Sequence, residues 1–325
     1  MPTPLHLDSA AYKKAQKLHK KSKKTQASEN LPALREQEKT FKTNFPPPPL
    51  DDVIDLSWDS ELHGNAWKGS KDSTELARIR CHNEETKAYG IRSLPGFVLL
   101  PGYLSPKAQR QLIRSTLTDH ARYPNENNLD THYQVPQDGL WVTWEAYNQT
   151  RNVDDSEEPI VSVKGVQEGT SQQGSMRELT ENTPASVSNF AELQAMERVA
   201  PPPSATVQPL PISKILKKLR WSNLGYFYHW GTKSYQFDRS LTPVPLDVVD
   251  ICRACVATVD WRDVWKDGAD LESGEWEGNK PDWSDWPQTF VPEAGIINFY
   301  QLKDTLMAHV DKSELSSTSP LVSIS

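Results

Sequence analysis

A mostly β domain of α+β character, with flanking helices and interrupting polar segments, is the fold class that this 325-residue sequence predicts. Three observations predict it. Alternating or aromatic runs recur at 97–100, 224–230, 296–300 and 321–324, each of strand length. Two longer runs, 105–119 and 246–259, carry apolar residues at helical spacing. Between them lie stretches with too little apolar surface to offset ordering entropy. Hydrophobic residues are only 36% of the chain, and there are 25 prolines.

Residues 1–49 read as a basic arm, disordered or helical. Lys13, Lys14, Lys17, Lys20, Lys21, Lys23 and Lys24 crowd together, and Pro46 to Pro49 close the arm as a stiff spacer. Such a run suits a phosphate-binding arm or a nuclear import signal, and a solvated helix face explains it equally well. It is Lys-rich rather than Arg-rich, which disfavours a mitochondrial transit peptide and favours nucleus or cytoplasm. Residues 50–93 form an extended lead-in containing Trp58 and Trp67.

The domain is expected to start at Leu94, with Phe97 to Leu100 as a short buried strand. Ser105 and Pro106 supply an N-cap and a first-turn proline, and Leu112, Ile113 and Leu117 follow at helical spacing. Residues 150–210 hold Asp154, Asp155, Glu157, Glu158 and Pro201 to Pro203, and read as a disordered insertion. Leu224 to Trp230 is the densest aromatic run. It reads as a strand or β-ribbon whose rings either pack a sheet or stack on a planar base.

Leu246, Val249, Cys252 and Val256 line one side of the helix at 246–259. Cys252-x-x-Cys255 lies on that helix without a second ligand pair, so a half-buried face is preferred over zinc or redox chemistry. Three cysteines supply no disulfide framework. Residues 260–288 form an acidic insertion with Trp261, Trp265, Trp276, Trp283 and Trp286. Its tryptophans pin it to the domain; the alternative is a protein-binding loop. No apolar run approaches a membrane span, and no signal-peptide core follows Met1. The net charge of −7 excludes a uniformly basic nucleic-acid binder, but the charge is unevenly spread.

Ile296 to Tyr300 reads as a strand with Asn298 and Tyr300 on one face. His309-Val310-Asp311 then places an imidazole and a carboxylate at i and i+2. On an extended chain they share a face and can converge on one metal ion. That is two-thirds of the 2-His-1-carboxylate set of non-heme Fe(II) oxygenases, which leaves iron positions open. His-x-Asp alone is not specific, since His6-Leu7-Asp8 repeats it in the polar arm.

The flanking residues make it specific. Asn298-Phe299-Tyr300, then His309-Val310-Asp311-Lys312-Ser313-Glu314, then Pro320-Leu321-Val322-Ser323 resembles the AlkB family of Fe(II)/2-oxoglutarate-dependent dioxygenases. The pattern is most similar to the eukaryotic homolog 1 branch. Leu94 to Phe97, Trp221 to Tyr235 and Gly295 to Tyr300 resemble the same branch, over about 94–149 and 211–325.

The resemblance implies a double-stranded β-helix, or jelly roll, with flanking helices. It implies His309 and Asp311 as iron ligands, and Asn298 and Tyr300 as hydrogen-bond partners of 2-oxoglutarate. Tyr226, Tyr228 and Trp230 would lie near a nucleotide-recognition lid, with Ser313 and Glu314 toward the substrate. The implied reaction is oxidative demethylation of N-methylated bases in tRNA or DNA, with formaldehyde released. A base held in a duplex would have to be flipped out first. The family also uses a second iron histidine and a 2-oxoglutarate arginine beyond the aspartate. Neither follows Asp311 in this sequence. The expectation is therefore a domain lacking its C-terminal strands, inactive as residues 1–325 alone. Competing readings are a catalytically dead relative that binds RNA or protein, and a protein hydroxylase of the same superfamily.

Overall fold

The computed structural model describes residues 33–42, 74–151, 157–164, 190–195, 207–229, 234–237, 242–265, 283–302 and 319–325, with isolated positions elsewhere. Contacts divide the chain into two units, Met1–Leu76 with Thr305–Val310, and Ala77–Asp304 with Asp311–Ser325. In the first unit, α1 (Ala33–Lys42) is a ten-residue helix. The elements below build the second, with β1 starting at the junction.

A three-stranded sheet in the order β1 (Leu76–Ile79), β2 (Ala88–Ile91), β3 (Leu94–Leu99) comes first. Two of its strands precede Leu94, where the sequence places the domain start. β3 pairs antiparallel with β2, with a register shift between Gly90 and Ile91. The run 97–100 is not a buried strand: Phe97 is 46% exposed and Leu99 41%. The reason is that β3 covers a core with one face only: Val98 packs inward while its alternate neighbours face out.

The helix expected at 105–119 is α2 (Pro106–Ser115), and its cap forms as read: Ser105 accepts a hydrogen bond from Ala108 N at 3.2 Å. A wider helical turn, Thr116–His120, continues it. The apolar stripe is only half used, with Ile113 59% exposed. α3 (Leu140–Thr150) follows a loop, and β4 (Ile160–Val161) pairs antiparallel with β5 (Leu210–Pro211). Residues 157–164 and 207–210, assigned by the sequence to the insertion, thus build into the fold. The acidic pair Glu157 and Glu158 masks the short apolar run behind it. Within the same stretch, α4 is Phe190–Ala195.

One core gathers Leu129, Tyr133, Leu140, Val161, Ile212, Ile215 and Leu219, with Phe299 packed against it. Ile212 and Ile215 lie on α5 (Ile212–Ile215) and are fully buried. Each such side chain contributes roughly 2 kcal/mol of burial. A second core joins Ile79, Ala88, Val256, Val259 and Trp261, flanked by Trp265, Trp283 and Trp286. It sits on α6 (Leu246–Thr258), α7 (Trp261–Val264) and α8 (Trp286–Thr289). Trp261 donates its indole N–H to Val256 O at 2.9 Å and meets Trp286 edge-on at 4.9 Å. The tryptophans of the acidic stretch therefore do pin its ends to the domain, while Trp276 lies outside the described residues. Cys252 is buried on α6, where burial pushes its thiol up to about 11. An inert helix face fits this better than a reactive site.

The site is positioned by β6 (Trp221–Gly225), which pairs antiparallel with β9 (Ala294–Asn298), and by a ribbon of β7 (Phe227–His229) with β8 (Ser234–Gln236). The two pairs meet at Gly225, whose φ of +71° a side chain rarely adopts. The final run 321–324 forms no strand: Leu321 is 85% exposed, and only Val322 packs on a core. Its alternating pattern finds no partner backbone among the described residues.

Candidate functional site

The first predicted pair lies at the end of β9. Phe299 turns toward the core, which directs Asn298 and Tyr300 to the opposite face. Both are exposed, Tyr300 by 53%. Asn298 ends the strand opposite Trp221, and Tyr300 lies just beyond it. The strand end is fastened on both sides. Phe299 N donates to Arg220 O at 2.7 Å, and the Arg220 guanidinium meets Asp304 at 3.4 Å. Asp304 in turn accepts from Gln301 N at 2.8 Å, closing the turn after the strand.

The aromatic ribbon and the segment after His-x-Asp come together. Tyr235 on β8 donates to Glu314 Oε1 at 3.0 Å. Burial, then the Glu314 carboxylate, push the Tyr235 phenol above its ordinary value, so its proton stays in place as donor. Ser313 Oγ lies 3.5 Å from Tyr228 OH on β7, and Tyr228 meets Tyr235 edge-on at 5.2 Å. Tyr226 meets Phe237 in a tilted ring contact, centroids 5.0 Å apart. Four of the predicted positions, Tyr226, Tyr228, Ser313 and Glu314, therefore belong to one aromatic and carboxylate neighbourhood. Asp311 is exposed, and its charge is felt at Tyr235. His309 and Trp230 lie outside the described residues.

Among the described residues, no three His, Cys, Asp or Glu side chains gather as a metal cluster. The donor chemistry still fits ferrous iron where it can be tested. Asp311 is an exposed residue whose carboxylate is a hard oxygen donor of the kind ferrous iron accepts. The three cysteines, which would draw zinc, lie elsewhere: Cys81 packs on the second core and Cys252 and Cys255 ride α6.

Sequence reasoning passed over a second flank of the site. Residues 123–130 run beside β6, bridged through Asn127 and Ser222. Asn127 Oδ1 accepts from Leu129 N, and Asn223 N donates to Glu126 O at 2.8 Å. Asn128 clamps both Arg220 N and Lys218 O. The run Pro124-Asn125-Glu126-Asn127-Asn128 is dense in turn formers, and that was the signal available.

Residues 163–325 match the family model of the 2OG-Fe(II) oxygenase superfamily. The chain belongs to that superfamily. Within it, the chain is AlkB-like and of the homolog 1 branch. It is 27% identical over 240 residues to the nucleic acid dioxygenase ALKBH1 of Mus musculus, covering 74% of this chain and 41% of that one. It is 27% identical over 244 residues to the tRNA demethylase abh1 of Schizosaccharomyces pombe, covering 74% and 56%. It is 23% identical over 321 residues to the DNA N(6)-methyladenine demethylase ALKBH1A of Arabidopsis thaliana, covering 98% and 72%. The chain thus spans about half the length of the mouse and fission-yeast relatives. The superfamily implies a jelly-roll fold, Fe(II) and 2-oxoglutarate. The antiparallel pairs β6–β9 and β7–β8, with their flanking helices, agree with that fold.

Proposed function

We propose that this protein performs Fe(II)/2-oxoglutarate-dependent oxidative demethylation of N-methylated bases in nucleic acid, either tRNA or DNA. The observation that carries the reading is the junction of the aromatic ribbon with the segment following His309-Val310-Asp311, through Tyr235 with Glu314 and Tyr228 with Ser313. In this reading the ribbon supplies the stacking surface for a planar base, and the segment it holds is the one that follows the iron motif in sequence. The activities named for the relatives point the same way.

In this reading His309 and Asp311 hold the iron, and Asn298 and Tyr300 hydrogen-bond 2-oxoglutarate from the exposed side of the chain at the end of β9. Tyr226, Tyr228 and Trp230 form the lid over the base, and Ser313 and Glu314 border the substrate. The bound iron and 2-oxoglutarate would supply dioxygen activation for hydroxylating the N-methyl group, after which formaldehyde leaves. The protein's own part is to stack and orient the base, hold Glu314 through Tyr235, and exclude water. The basic arm would add salt-sensitive phosphate affinity, and the tryptophan-rich stretch a protein contact. The lysine run suits work in the nucleus or cytoplasm.

The test is formaldehyde release from a single-stranded oligonucleotide carrying methyladenine, with Fe(II) and 2-oxoglutarate. It should be run on the 325-residue chain and on any longer form its transcript encodes. Release that disappears in Asp311→Ala supports the reading. Retained RNA affinity with no 2-oxoglutarate turnover in any form would instead establish an RNA-binding module, and turnover on peptides alone a protein hydroxylase.

A further inference from the structure

The chain carries 43 acidic residues, yet no Asp or Glu occurs between Glu197 and Asp238. That window holds Lys214, Lys217, Lys218 and Arg220, then β6, then the aromatic ribbon. A chain of net charge −7 thus sets cations and its densest aromatic run side by side, and keeps out of that stretch the carboxylates that would neutralise them.

The fold holds the lysines on a fixed backbone. α5 and the 3-10 turn Leu216–Lys218 after it bury Ile212, Ile215 and Leu219 in the first core, each no more than 3% exposed. Lys214, Lys217 and Lys218 take the outer positions and are exposed. The Asn128 side chain fastens the turn at two points, donating to Lys218 O at 2.9 Å and accepting from Arg220 N at 2.7 Å. Arg220 Nη1 donates to Lys217 O at 2.7 Å, and its guanidinium meets Asp304 at 3.4 Å, so this cation serves the fold. Glu158 accepts from Ser213 N at 2.8 Å and shares its field with Lys214. Among the described residues, the ammonium groups of Lys217 and Lys218 have neither a carboxylate nor a hydrogen-bond partner.

We propose that Lys217 and Lys218 form a phosphate-binding ridge that grips the nucleic-acid backbone, with Lys214 at its edge. The inference rests on the nucleic-acid reading above and adds to it the surface that holds the strand. Ile212, Ile215 and Leu219 are buried and Leu216 packs on the same core, so this segment keeps no apolar face for a lipid surface. Lysine ammonium groups contact phosphates without demanding bidentate geometry, which suits a grip independent of sequence. The five residues of β6 separate the ridge from the ribbon by about 15 Å of extended chain. Phosphates on the ridge therefore belong to nucleotides flanking a base on the ribbon, and the ridge acts on any strand, methylated or not.

The probe is a fluorescent single-stranded oligonucleotide, with and without one methyladenine, titrated by anisotropy against the full chain over a range of salt. Each phosphate contact on a single strand contributes roughly 0.7 to the slope of log K against log salt. Lys217→Gln with Lys218→Gln should therefore flatten the slope by about 1.4 and weaken binding on the order of twentyfold at about 0.1 M salt, equally for both strands. Both side chains are exposed, so the unfolding midpoint should stay at that of the unmodified chain. Lys217→Arg with Lys218→Arg keeps the charge and should keep the slope. Lys107→Gln with Arg110→Gln removes the same charge from exposed positions on α2 and should also leave the slope unchanged. An unchanged slope in the glutamine ridge variant, an equal drop in the α2 variant, or a loss confined to the methylated strand would overturn the assignment while leaving nucleic-acid binding intact. Tighter binding of polyglutamate of matched charge, lost in the ridge variant, would give the ridge to an acidic protein instead. Absence of oligonucleotide binding by the unmodified chain would overturn the nucleic-acid reading together with it.

Discussion

Tyr235 and Glu314, 79 residues apart in sequence, are joined by a hydrogen bond of 3.0 Å from the phenol to Oε1. Glu314 Oε2 accepts in turn from Ser313 N at 3.1 Å, so a single carboxylate ties the ribbon to the backbone that follows the His-x-Asp motif. A hydrogen bond to a charged group contributes about 1.5–3 kcal/mol when its partners are well placed. Tyr235→Phe keeps the ring contact with Tyr228 and removes only this bond. It should lower unfolding free energy by about 1–2 kcal/mol in urea. It should also raise protease sensitivity near Ser313. Unchanged cleavage there would show that the carboxylate is held by other means.

Gly225 is where the β6–β9 pair gives way to the ribbon, and no other residue fits. A Cβ added there would lie 1.9 Å from Glu293 O and 2.8 Å from Val244 Cγ2, with φ at +71°. The left-handed backbone alone costs a residue with a side chain about 1–2 kcal/mol, and the clash with a backbone oxygen adds to it. Gly225→Ala should therefore destabilise by more than about 2 kcal/mol. It should also disturb the aromatic ribbon first. Denaturant titration measures the loss, and near-ultraviolet circular dichroism reports the rings of Tyr226 and Phe227.

His120 and Asp247 tie the end of the α2 region to α6, with Nε2 and Oδ2 at 3.1 Å. Burial acts to raise the Asp247 carboxyl. The His120 hydrogen bond and charge, the Ser115 hydroxyl and Val248 N–H outweigh it and hold the carboxyl below its ordinary value. A carboxyl depressed in the folded state stabilises above its unfolded value of about 3.9. That contribution is lost as pH falls through the folded value. Asp247 is 44% exposed, so the screened contribution is below about 1 kcal/mol. Stability measured from pH 5 down to 2 should fall less steeply in Asp247→Asn than in the unmodified chain.

How far the sequence discloses this molecule depends on whether a signal is local. The cap at Ser105, the helix at 246–258 and the aromatic ribbon are each specified by neighbours within a few positions, and each forms as read. The run at 97–100 lies in a strand as its pattern predicts but is not buried, because a short apolar run does not disclose whether both faces of its sheet are covered. Leu321 to Ile324 alternates like a strand, but alternation cannot supply a partner. At the proposed site, the spacing of Asn298 and Tyr300 predicts one shared face, and both are exposed. Tyr235 was not singled out, because its partner Glu314 is distant in sequence. Lys217 and Lys218 look like an ordinary solvated pair until the structure fixes their backbone at the start of β6.

The iron motif offers the most direct biochemical check. Asp311 is the carboxylate donor of the proposed site and is exposed on the segment that leads to Ser313 and Glu314. Removing a group that merely orients a metal ligand costs about 10–100-fold in affinity, and removing a ligand costs more. Asp311→Ala should therefore lower Fe(II) affinity by at least about a hundredfold. Circular dichroism should be unchanged, since Asp311 is not part of either core. Tyr300→Phe should leave iron affinity intact and weaken 2-oxoglutarate binding by about tenfold, the worth of one hydrogen bond to a charged ligand. Isothermal titration with Fe(II), then with 2-oxoglutarate on the iron-loaded protein, separates the two effects. Iron affinity that survives loss of Asp311 would remove this residue from the metal site and move the search to other carboxylates.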